Sequence, residues 1–327
     1  MKRRTLLTAM GLGLAAAAVP SAWLAWNKSK ETGGTVFYGP PVMPTLLLGA
    51  AAQQGRLKDR MPFAVKVWKD VDMLRAGLAN RSMAVSIVPS YVAANLAARG
   101  QDVKLLNIMT FGLLHIIGTE PLPNLAALKS KKLVMPFKND MPDLVLQLLC
   151  RKQGVALESF QTAYTATPPE ALMMFMRGNA DYALLPEPMV SMAMIRGAQM
   201  NKQVVRALDI QSVWTQATGM ANGIPQAGLM ADGAFYRQHA EEMGLLQQDL
   251  AQALTWTQAN PEAAAALAGD YLDAPEKALL AALPHSRLAA TPAQSVADDV
   301  MRFFAELHSL NPAIVGGKLP DASLLAG

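Results

Sequence analysis

The stretch "TPPEALMMFMRGNADYALLPEPMVSMA", residues 167–193, predicts a helix, a sharp turn, a short strand and the start of a second helix. Gly178 stands at the end of the first helix, where the backbone often needs a positive φ. Asp181 can accept hydrogen bonds from backbone N–H groups where the strand starts. Glu187 and Pro188 suit the first turn of the second helix. The stretch therefore has the helix–strand–helix order of a layered α/β protein.

The same order continues on both sides of this stretch, from residue 35 to about residue 210. Strands such as "TVFYG", "FAVKVW" and "MAVSIV" alternate with helices such as "PTLLLGAAAQQG" and "PSYVAANLAARG". Nearly continuous apolar strands between helices indicate sheets that are covered on both faces. After about residue 222, only "QAGLMA" has the pattern of a strand, and the remainder is predicted to be helical.

A Pro-rich break, "TEPLPN", separates two runs of this pattern. We predict that residues 33–118 and 222–327 form one lobe and that residues 119–221 form a second, each a mostly parallel sheet flanked by helices. A chain that enters a second lobe and returns crosses between the lobes twice, and two crossings form a hinge. The cleft between the lobes is then the expected ligand site.

Residues 1–26 have the layout of a secretory signal, with a basic start, "MKRR", and an apolar stretch from Leu6 to Val19. The segment "RRTLL" resembles a twin-arginine export signal. Export of this kind predicts a periplasmic location. The alternative is an uncleaved membrane anchor, because the segment from Leu6 to Trp26 is nearly long enough to cross a bilayer, which takes roughly 20 residues.

The composition is that of a folded protein with about two domains, because 52% of the 327 residues are hydrophobic and only 17% are charged. The net charge is +4, and much of the excess lies in the leader. No cluster of Lys and Arg interleaved with aromatic residues follows, so nucleic-acid binding is not predicted. Cys150 is the single cysteine and lies on an apolar helix face, so we expect a buried core residue and no internal disulfide.

Motifs for catalysis, metal binding or cofactor binding are not found in the sequence. The four histidines stand far apart, and no H-E-x-x-H or G-x-S-x-G motif is present. A phosphate-binding loop is also missing, and no G-x-G-x-x-G follows a strand. We therefore predict neither a catalytic residue nor a metal ligand nor a cofactor.

The elements resemble the periplasmic solute-binding proteins of ABC importers, in the branch that binds aliphatic sulfonates, taurine, nitrate and pyrimidine precursors. "PPEALMMFMRGNADYALLPEPMVSMA" is similar to a helix, turn, strand and Glu-Pro helix start of that family. "LKSKKLVMPFKNDMPDLVLQLLCRKQGV" is similar to its entry into the second lobe. "MLRAGLANRSMAVSIVPSYVAANLAARGQDVKLL" is similar to its first-lobe unit, with Ser82-Met83-Ala84 where the family usually has an Asp.

The resemblance implies a type II two-lobe fold and a monomeric binding protein that delivers a small organic solute to an ABC permease and ATPase. Contact with the membrane would occur only through the transporter or an uncleaved leader. Two alternatives stay open: a ligand-sensing pair of lobes for a membrane signalling partner, and a biosynthetic enzyme on the same fold. The second alternative includes a pyrimidine-precursor synthase that uses its own histidine, and no His-rich or Cys-rich cluster of that kind is found here.

Ligands of open α/β lobes bind beyond the carboxyl ends of strands, where helix N-termini favour anions or polar oxygens. Four strand-to-helix turns and the crossover near Phe111 meet this description. The predicted ligand-binding residues are Pro41, Met43, Pro89, Ser90, Tyr91, Phe111, Lys138, Asn139, Asp140 and Glu187. Several have structural alternatives, since Ser90, Asn139, Asp140 and Glu187 could each cap a helix instead.

The chemistry of the ligand remains open at the level of sequence. Helix N-termini suit a sulfonate or a carboxylate. Asp140 and Glu187 argue against a strongly anionic ligand unless Lys138 offsets their charges. Methionines near the proposed cleft, such as Met43 and Met141, could line a site for an apolar or ring-bearing molecule.

Overall fold

The computed structural model describes residues 34–326, and the chain from Thr35 onward forms one compact unit. The predicted signal peptide at residues 1–26 lies outside the described residues. Two β-sheets organise the unit, and helices pack against them. Among the described residues, no helix combines the length and the apolar character needed to cross a membrane.

The first sheet has six strands in the order β11-β4-β10-β3-β1-β2. Its strands are β1 (Thr35–Gly39), β2 (Phe63–Val67), β3 (Val85–Pro89), β4 (Val103–Thr110), β10 (Ala227–Asp232) and β11 (Leu288–Pro292). The second sheet has five strands in the order β7-β6-β8-β5-β9. Its strands are β5 (Leu114–Gly118), β6 (Lys132–Pro136), β7 (Gln161–Thr165), β8 (Tyr182–Pro186) and β9 (Val205–Asp209). We call each sheet with its helices a lobe.

Helices connect these strands. The helices up to residue 152 are α1 (Thr45–Gln54), α2 (Leu57–Arg60), α3 (Val71–Ala79), α4 (Ser90–Ala98) and α5 (Met141–Lys152). The next three are α6 (Pro168–Met176), α7 (Met189–Gln199) and α8 (Ile210–Thr218). The C-terminal helices are α9 (Gly233–Gln238), α10 (Ala240–Ala259), α11 (Pro261–Ala268), α12 (Glu276–Ala282) and α13 (Ala297–Leu310).

The predicted α/β architecture with two lobes is confirmed. The sheets are mixed rather than mostly parallel. In the first sheet, β10 runs antiparallel to β3 and β4, and β11 runs antiparallel to β4. In the second sheet, β5 runs antiparallel to β8 and β9. Strands β5 and β10 follow the segments that pass between the sheets, so they enter their sheets from the opposite end.

Two strands differ from the sequence analysis. Strand β5 pairs with β8 and β9 in the second sheet, whereas residues 111–118 were assigned to the first lobe. Strand β11 was not predicted, because the chain after about residue 222 was predicted to be helical apart from "QAGLMA". It pairs with β4 at the edge of the first sheet. The spacing of apolar residues reports only on the segment that contains them. Pairing with a strand that is distant in sequence determines the sheet to which β5 belongs and makes residues 288–292 a strand.

The stretch at residues 167–193 has the predicted order of elements. Gly178 follows α6 and has a φ of 77°. Asp181 accepts a hydrogen bond from the backbone N–H of Lys132 at 2.7 Å, and its own N–H donates to the Lys132 carbonyl at 2.9 Å. The predicted role of Asp181 as an acceptor is confirmed, and its partner is the start of the neighbouring strand β6. This pair fixes β8 beside β6, where the strands run parallel.

Side chains of the first sheet pack on both of its faces. Along β4, Leu105 and Ile108 join one buried cluster, while Leu106 and Met109 join another. Burying a side chain of this size stabilises a fold by about 1.5–3 kcal/mol. Two-sided burial explains why the strands are nearly continuous in apolar residues.

Strand β10 lies between β3 and β4, and its Gly228 makes a close approach to β4. A Cβ atom at Gly228 would lie 2.3 Å from the backbone oxygen of Asn107. We predict that Gly228→Ala lowers the free energy of unfolding by about 2 kcal/mol or more, because the backbone of a central strand cannot move away. Urea denaturation measures this change.

Gly244→Ala is the matched control for Gly228→Ala. Gly244 is exposed on α10, and nothing lies within 4 Å of the position that its Cβ would take. This variant should keep or gain stability, by up to about 1 kcal/mol, because alanine favours a helix. Equal stability of the two variants would contradict the packing of Gly228.

Candidate ligand-binding site

A cleft of about 980 Å³ is lined by residues from both lobes. The first lobe contributes the turns after β1, β2 and β3, together with parts of α3 and α4. The second lobe contributes the turns after β6, β7 and β8. These are the carboxyl ends of strands, where ligands of open α/β sheets bind.

Most of the lining is apolar. Its aromatic residues are Trp68, Tyr91, Phe137 and Tyr271. Seven lining residues are prolines, namely Pro40, Pro41, Pro89, Pro142, Pro168, Pro169 and Pro186. Proline has no backbone N–H, so these positions offer few hydrogen-bond donors to a ligand.

The turn from β3 to α4 divides its residues between the cleft and the core. Pro89 and Tyr91 line the cleft. Ser90 is fully buried, and its hydroxyl donates a hydrogen bond to the carbonyl of Pro225. The Ser90 N–H donates to the carbonyl of Gln226 at 3.1 Å. Ser90 therefore ties the turn to the segment that precedes β10.

A hydrogen bond crosses the cleft between the lobes. The hydroxyl of Tyr91 in α4 donates to Oδ1 of Asp140, 2.6 Å away. Burial, followed by the negative charge of Asp140, raises the pKa of Tyr91 well above its usual value. Asp140 also caps α5, because its Oδ1 accepts the N–H of Met141 at 2.6 Å. The capping role considered for Asp140 is confirmed, and the residue lines the cleft as well.

The turn after β6 carries two further predicted residues. Lys138 is exposed, and its ammonium group lies 5.4 Å from the ring centre of Tyr164. Asn139 has a φ of 60°, and its N–H donates to Oδ2 of Asp143 at 2.8 Å. Neither residue is on the lining of the cleft.

Glu187 is fully buried behind the cleft. Its Oε2 accepts the N–H of Ser191 at 3.0 Å, so it caps the first turn of α7. Its Oε1 lies 2.5 Å from Nη2 of Arg206, and that guanidinium group also donates to the Ser191 hydroxyl at 2.9 Å. Of the two roles considered for Glu187, the structure therefore shows the cap.

The structure brings four of the ten predicted residues together on the lining: Pro41, Pro89, Tyr91 and Asp140. The other six do not line it. Met43 and Phe111 belong to the core, and Ser90 and Glu187 are also buried. Lys138 and Asn139 are exposed on the turn after β6. Contact of any of the ten with a ligand remains a prediction.

Several lining residues were not predicted from the sequence. Trp68 follows β2, so the rule that selected the other strand ends could have found it. Phe137 follows β6 and was passed over for the polar residues next to it. Tyr271 and Gln226 come from segments that are distant in sequence, and no local signal marked them.

A polar cluster lies beside the crossover between the lobes. His115 on β5 is buried, and its Nε2 is 4.0 Å from Oδ1 of Asp209. Nη2 of Arg287 lies 3.2 Å from the other oxygen of Asp209, and the ring centre of His285 is 5.9 Å from that of His115. Burial lowers the pKa of His115 to about 4; the charge of Asp209 opposes this shift, and the charge of Arg206 adds to it.

Solved structures with the same fold include three proteins that are similar along most of this chain. An ABC transporter protein from Parabacteroides distasonis is 18% identical, with 90% of this chain and 99% of that chain covered and a TM-score of 0.74. The periplasmic aliphatic sulphonate binding protein SsuA from Escherichia coli is 17% identical, with 91% and 92% covered and a TM-score of 0.70. The alkanesulfonate-binding protein SsuA from Xanthomonas axonopodis pv. citri, bound to MOPS, is 16% identical, with 90% and 97% covered and a TM-score of 0.62.

At these identities the similarity shows a shared fold. The predicted resemblance to periplasmic solute-binding proteins of ABC importers is confirmed at that level. No protein-family model matches the sequence, and no curated protein matches it.

The buried ion pair of Glu187 and Arg206 generates a stability prediction. We predict that Arg206→Met lowers the free energy of unfolding by about 3–5 kcal/mol, because it leaves a buried carboxylate without its partner. The double variant Glu187→Gln/Arg206→Met should recover part of this loss, since no unpaired charge remains. Urea denaturation measures both.

Arg237→Met is the matched control for this pair. Nη1 of Arg237 lies 2.7 Å from Asp102 in an ion pair whose side chains are 61% and 50% exposed. Its removal should change stability by about 1 kcal/mol at most. A similar small effect of Arg206→Met would refute the importance of the buried pair.

The lowered pKa of His115 predicts a loss of stability in mild acid. The unfolded chain takes up this proton near pH 6.5, whereas the folded protein takes it up near pH 4. Stability from His115 is therefore complete above pH 6.5 and decreases by roughly 3 kcal/mol as the pH falls to 4. In His115→Phe, the curve of unfolding free energy against pH should be flatter across this window. Parallel curves for the wild type and His115→Phe would show that His115 is not the source of the pH dependence.

Proposed function

We propose that this protein is an exported solute-binding protein that captures a small organic molecule in the cleft and delivers it to the permease and ATPase of an ABC importer. The observation that carries the proposal is the cleft itself. Residues of both lobes line it, and the hydrogen bond between Tyr91 and Asp140 crosses it. The chain passes between the sheets at residues 111–113 and 219–226, and two connections of this kind are suited to hinge closure.

The composition of the cleft supports a binding role without catalysis. Where the structure describes the lining, it includes no His, Cys or Ser. Cys150 lies in the core, and burial, together with the charge of Glu158, raises the pKa of its thiol to about 12. A thiol with this pKa is a poor nucleophile. Among the described residues, no group of His, Cys, Asp and Glu could hold a metal ion.

A periplasmic location and a partner at the membrane belong to the same proposal. The leader has the pattern of an export signal, and two of the solved structures with this fold are named as sulfonate-binding proteins, one of them periplasmic. Closure of the lobes on a solute would exclude water and form the surface that a permease recognises.

A thermal-shift screen of the mature protein, from about residue 27, tests the binding function. The panel contains sulfonates, carboxylates, amines, pyrimidines and metal ions. A ligand that binds only the folded state raises the unfolding midpoint by mass action. We expect one organic class to raise it selectively, and uptake of that ligand should be lost in cells that lack the gene. A panel without any shift would count against the proposal.

The bridge across the cleft gives a sharper test with the ligand that the screen identifies. Tyr91→Phe removes one hydroxyl and its charge-assisted hydrogen bond, which contributes about 1.5–3 kcal/mol to the bridged state. We expect the affinity for the ligand to fall by about tenfold or more in isothermal titration.

Tyr164→Phe is the matched control for Tyr91→Phe. Its hydroxyl donates to Oδ1 of Asp143 at 3.1 Å, within the second lobe and away from the lining. This variant should bind as the wild type does. Equal affinities of the wild type, Tyr91→Phe and Tyr164→Phe would show that the bridge takes no part in binding.

A further inference from the structure

We infer that the solute carries no anionic group and is a mainly apolar, ring-bearing molecule whose polar group donates a hydrogen bond to Asp140. This inference rests on the proposed function and names the class of solute. It differs from the sulfonates named for two of the solved structures with this fold.

The start of α5 faces the cleft, but the N–H groups of Asn139 and Met141 are already used. Asp140 Oδ1 accepts the N–H of Met141 at 2.6 Å, and Asp143 Oδ2 accepts the N–H of Asn139 at 2.8 Å. Pro142, the next residue, has no N–H. A helix start binds an anion through free N–H groups. This start therefore offers an anion very little.

The start of α6 is closed to an anion in the same way. Pro168 and Pro169 occupy its first two positions and line the cleft, and neither has an N–H. Just before them, the N–H of Ala166 donates to Oε2 of Glu170 at 3.0 Å. The N–H of Ala166 is thus already bound by a carboxylate of the protein itself.

The starts of α4 and α7 complete the pattern. The N–H of Ser90 donates to the carbonyl of Gln226, and the N–H of Ser191 donates to Oε2 of Glu187 at 3.0 Å. Each of these four helices therefore uses an N–H group at or next to its start within the protein, or has proline there. A sulfonate or carboxylate would find these particular donors already occupied.

Charges on the lining point in the same direction. The three cations of the lining are all exposed: Lys69, Arg75 and Arg99. Nη1 of Arg75 lies 3.5 Å from Oδ1 of Asp72. The one buried charged residue of the lining is Asp140, which is 7% exposed. A buried carboxylate repels an anionic solute, and exposed cations at the rim are screened by solvent.

Asp140 also offers an acceptor to the solute. Its hydrogen bonds with Tyr91 and Met141 both use Oδ1. Its Oδ2 makes no hydrogen bond with the residues that the structure describes. A carboxylate oxygen at an apolar site is stabilised when a donor reaches it. An N–H or O–H group on the solute fits this position.

Rings on the lining favour an apolar body. The indole N–H of Trp68 donates to the carbonyl of Ile87 at 3.3 Å, so Trp68 has no donor left for a ligand. Phe137 lines the cleft from the second lobe, and Tyr91 lines it from α4 in the first lobe. Aromatic faces of this kind pack against the rings of a ligand. The volume of about 980 Å³ is ample for two fused rings.

Two fluorescent probes with one shared body test the inference. N-phenyl-1-naphthylamine is uncharged and has one N–H donor, and 8-anilino-1-naphthalenesulfonate adds a sulfonate to the same body. We expect the mature protein to bind the uncharged probe at least tenfold more tightly in fluorescence titrations, and we expect Trp68→Ala to weaken that binding.

The role of Asp140 is tested by Asp140→Asn, which preserves the shape of the side chain and the cap of α5. If Tyr91 and Met141 donate their hydrogen bonds to the amide oxygen, the amide NH₂ group takes the place of Oδ2 and presents a donor to the ligand. The preference for the uncharged probe should fall by tenfold or more. Asp232→Asn is the matched control, since Asp232 caps α9 away from the lining, and it should leave the preference unchanged.

The outcomes separate the inference from the proposed function. Equal affinity for the two probes, or tighter binding of the sulfonate, would overturn the inference, and the protein would still be a solute-binding protein. An unchanged preference in Asp140→Asn would also overturn it. If neither probe binds, the inference fails; the proposed function fails with it only if the thermal-shift screen also finds no ligand.

Discussion

The three residues at 111–113 connect β4 of the first sheet to β5 of the second, and the position of the cleft depends on how they are held. The hydroxyl of Thr110 donates to the Ser286 carbonyl at 2.7 Å and accepts the N–H of Gly112 at 3.2 Å. Gly112 has a φ of 117°, and a Cβ atom there would lie 2.2 Å from the side chain of Gln211. Only glycine combines this conformation with this contact. The two sheets therefore meet at a short connection whose polar groups are satisfied, and the cleft opens beside it.

Satisfied polar groups also decide the chemistry of the cleft. Asp140, Asp143, Glu170 and Glu187 each accept an N–H at or next to the start of a helix. A single type of interaction thus has two effects. It stabilises the helix starts, and it removes the donors that would otherwise hold an anion. Buried polar groups require partners, and these N–H groups find them within the chain. The lining of the cleft is mainly apolar.

Much of the fold could be predicted from the sequence, because the relevant signals are local. Gly178 and Asp181 have the predicted roles at their turn, and Asp140 caps a helix. The rule that ligands lie beyond strand ends selected Tyr91 and Asp140, which line the cleft, and the same rule could have selected Trp68. Its failures are also informative. Met43 and Ser90 stand at the same kind of turn and face the core, because neighbouring residues of a turn point in different directions.

The sequence by itself determined the order of strands and helices and the residues that cap them, because apolar spacing and capping act over a few residues. Only the tertiary structure decided that β5 belongs to the second sheet, that β11 is a strand, and which side chains face the cleft. Ser90 is buried by a contact 135 positions away, and the bond from Tyr91 to Asp140 spans 49 positions. Contacts at such separations depend on how whole sheets pack, and a local pattern carries no information about them.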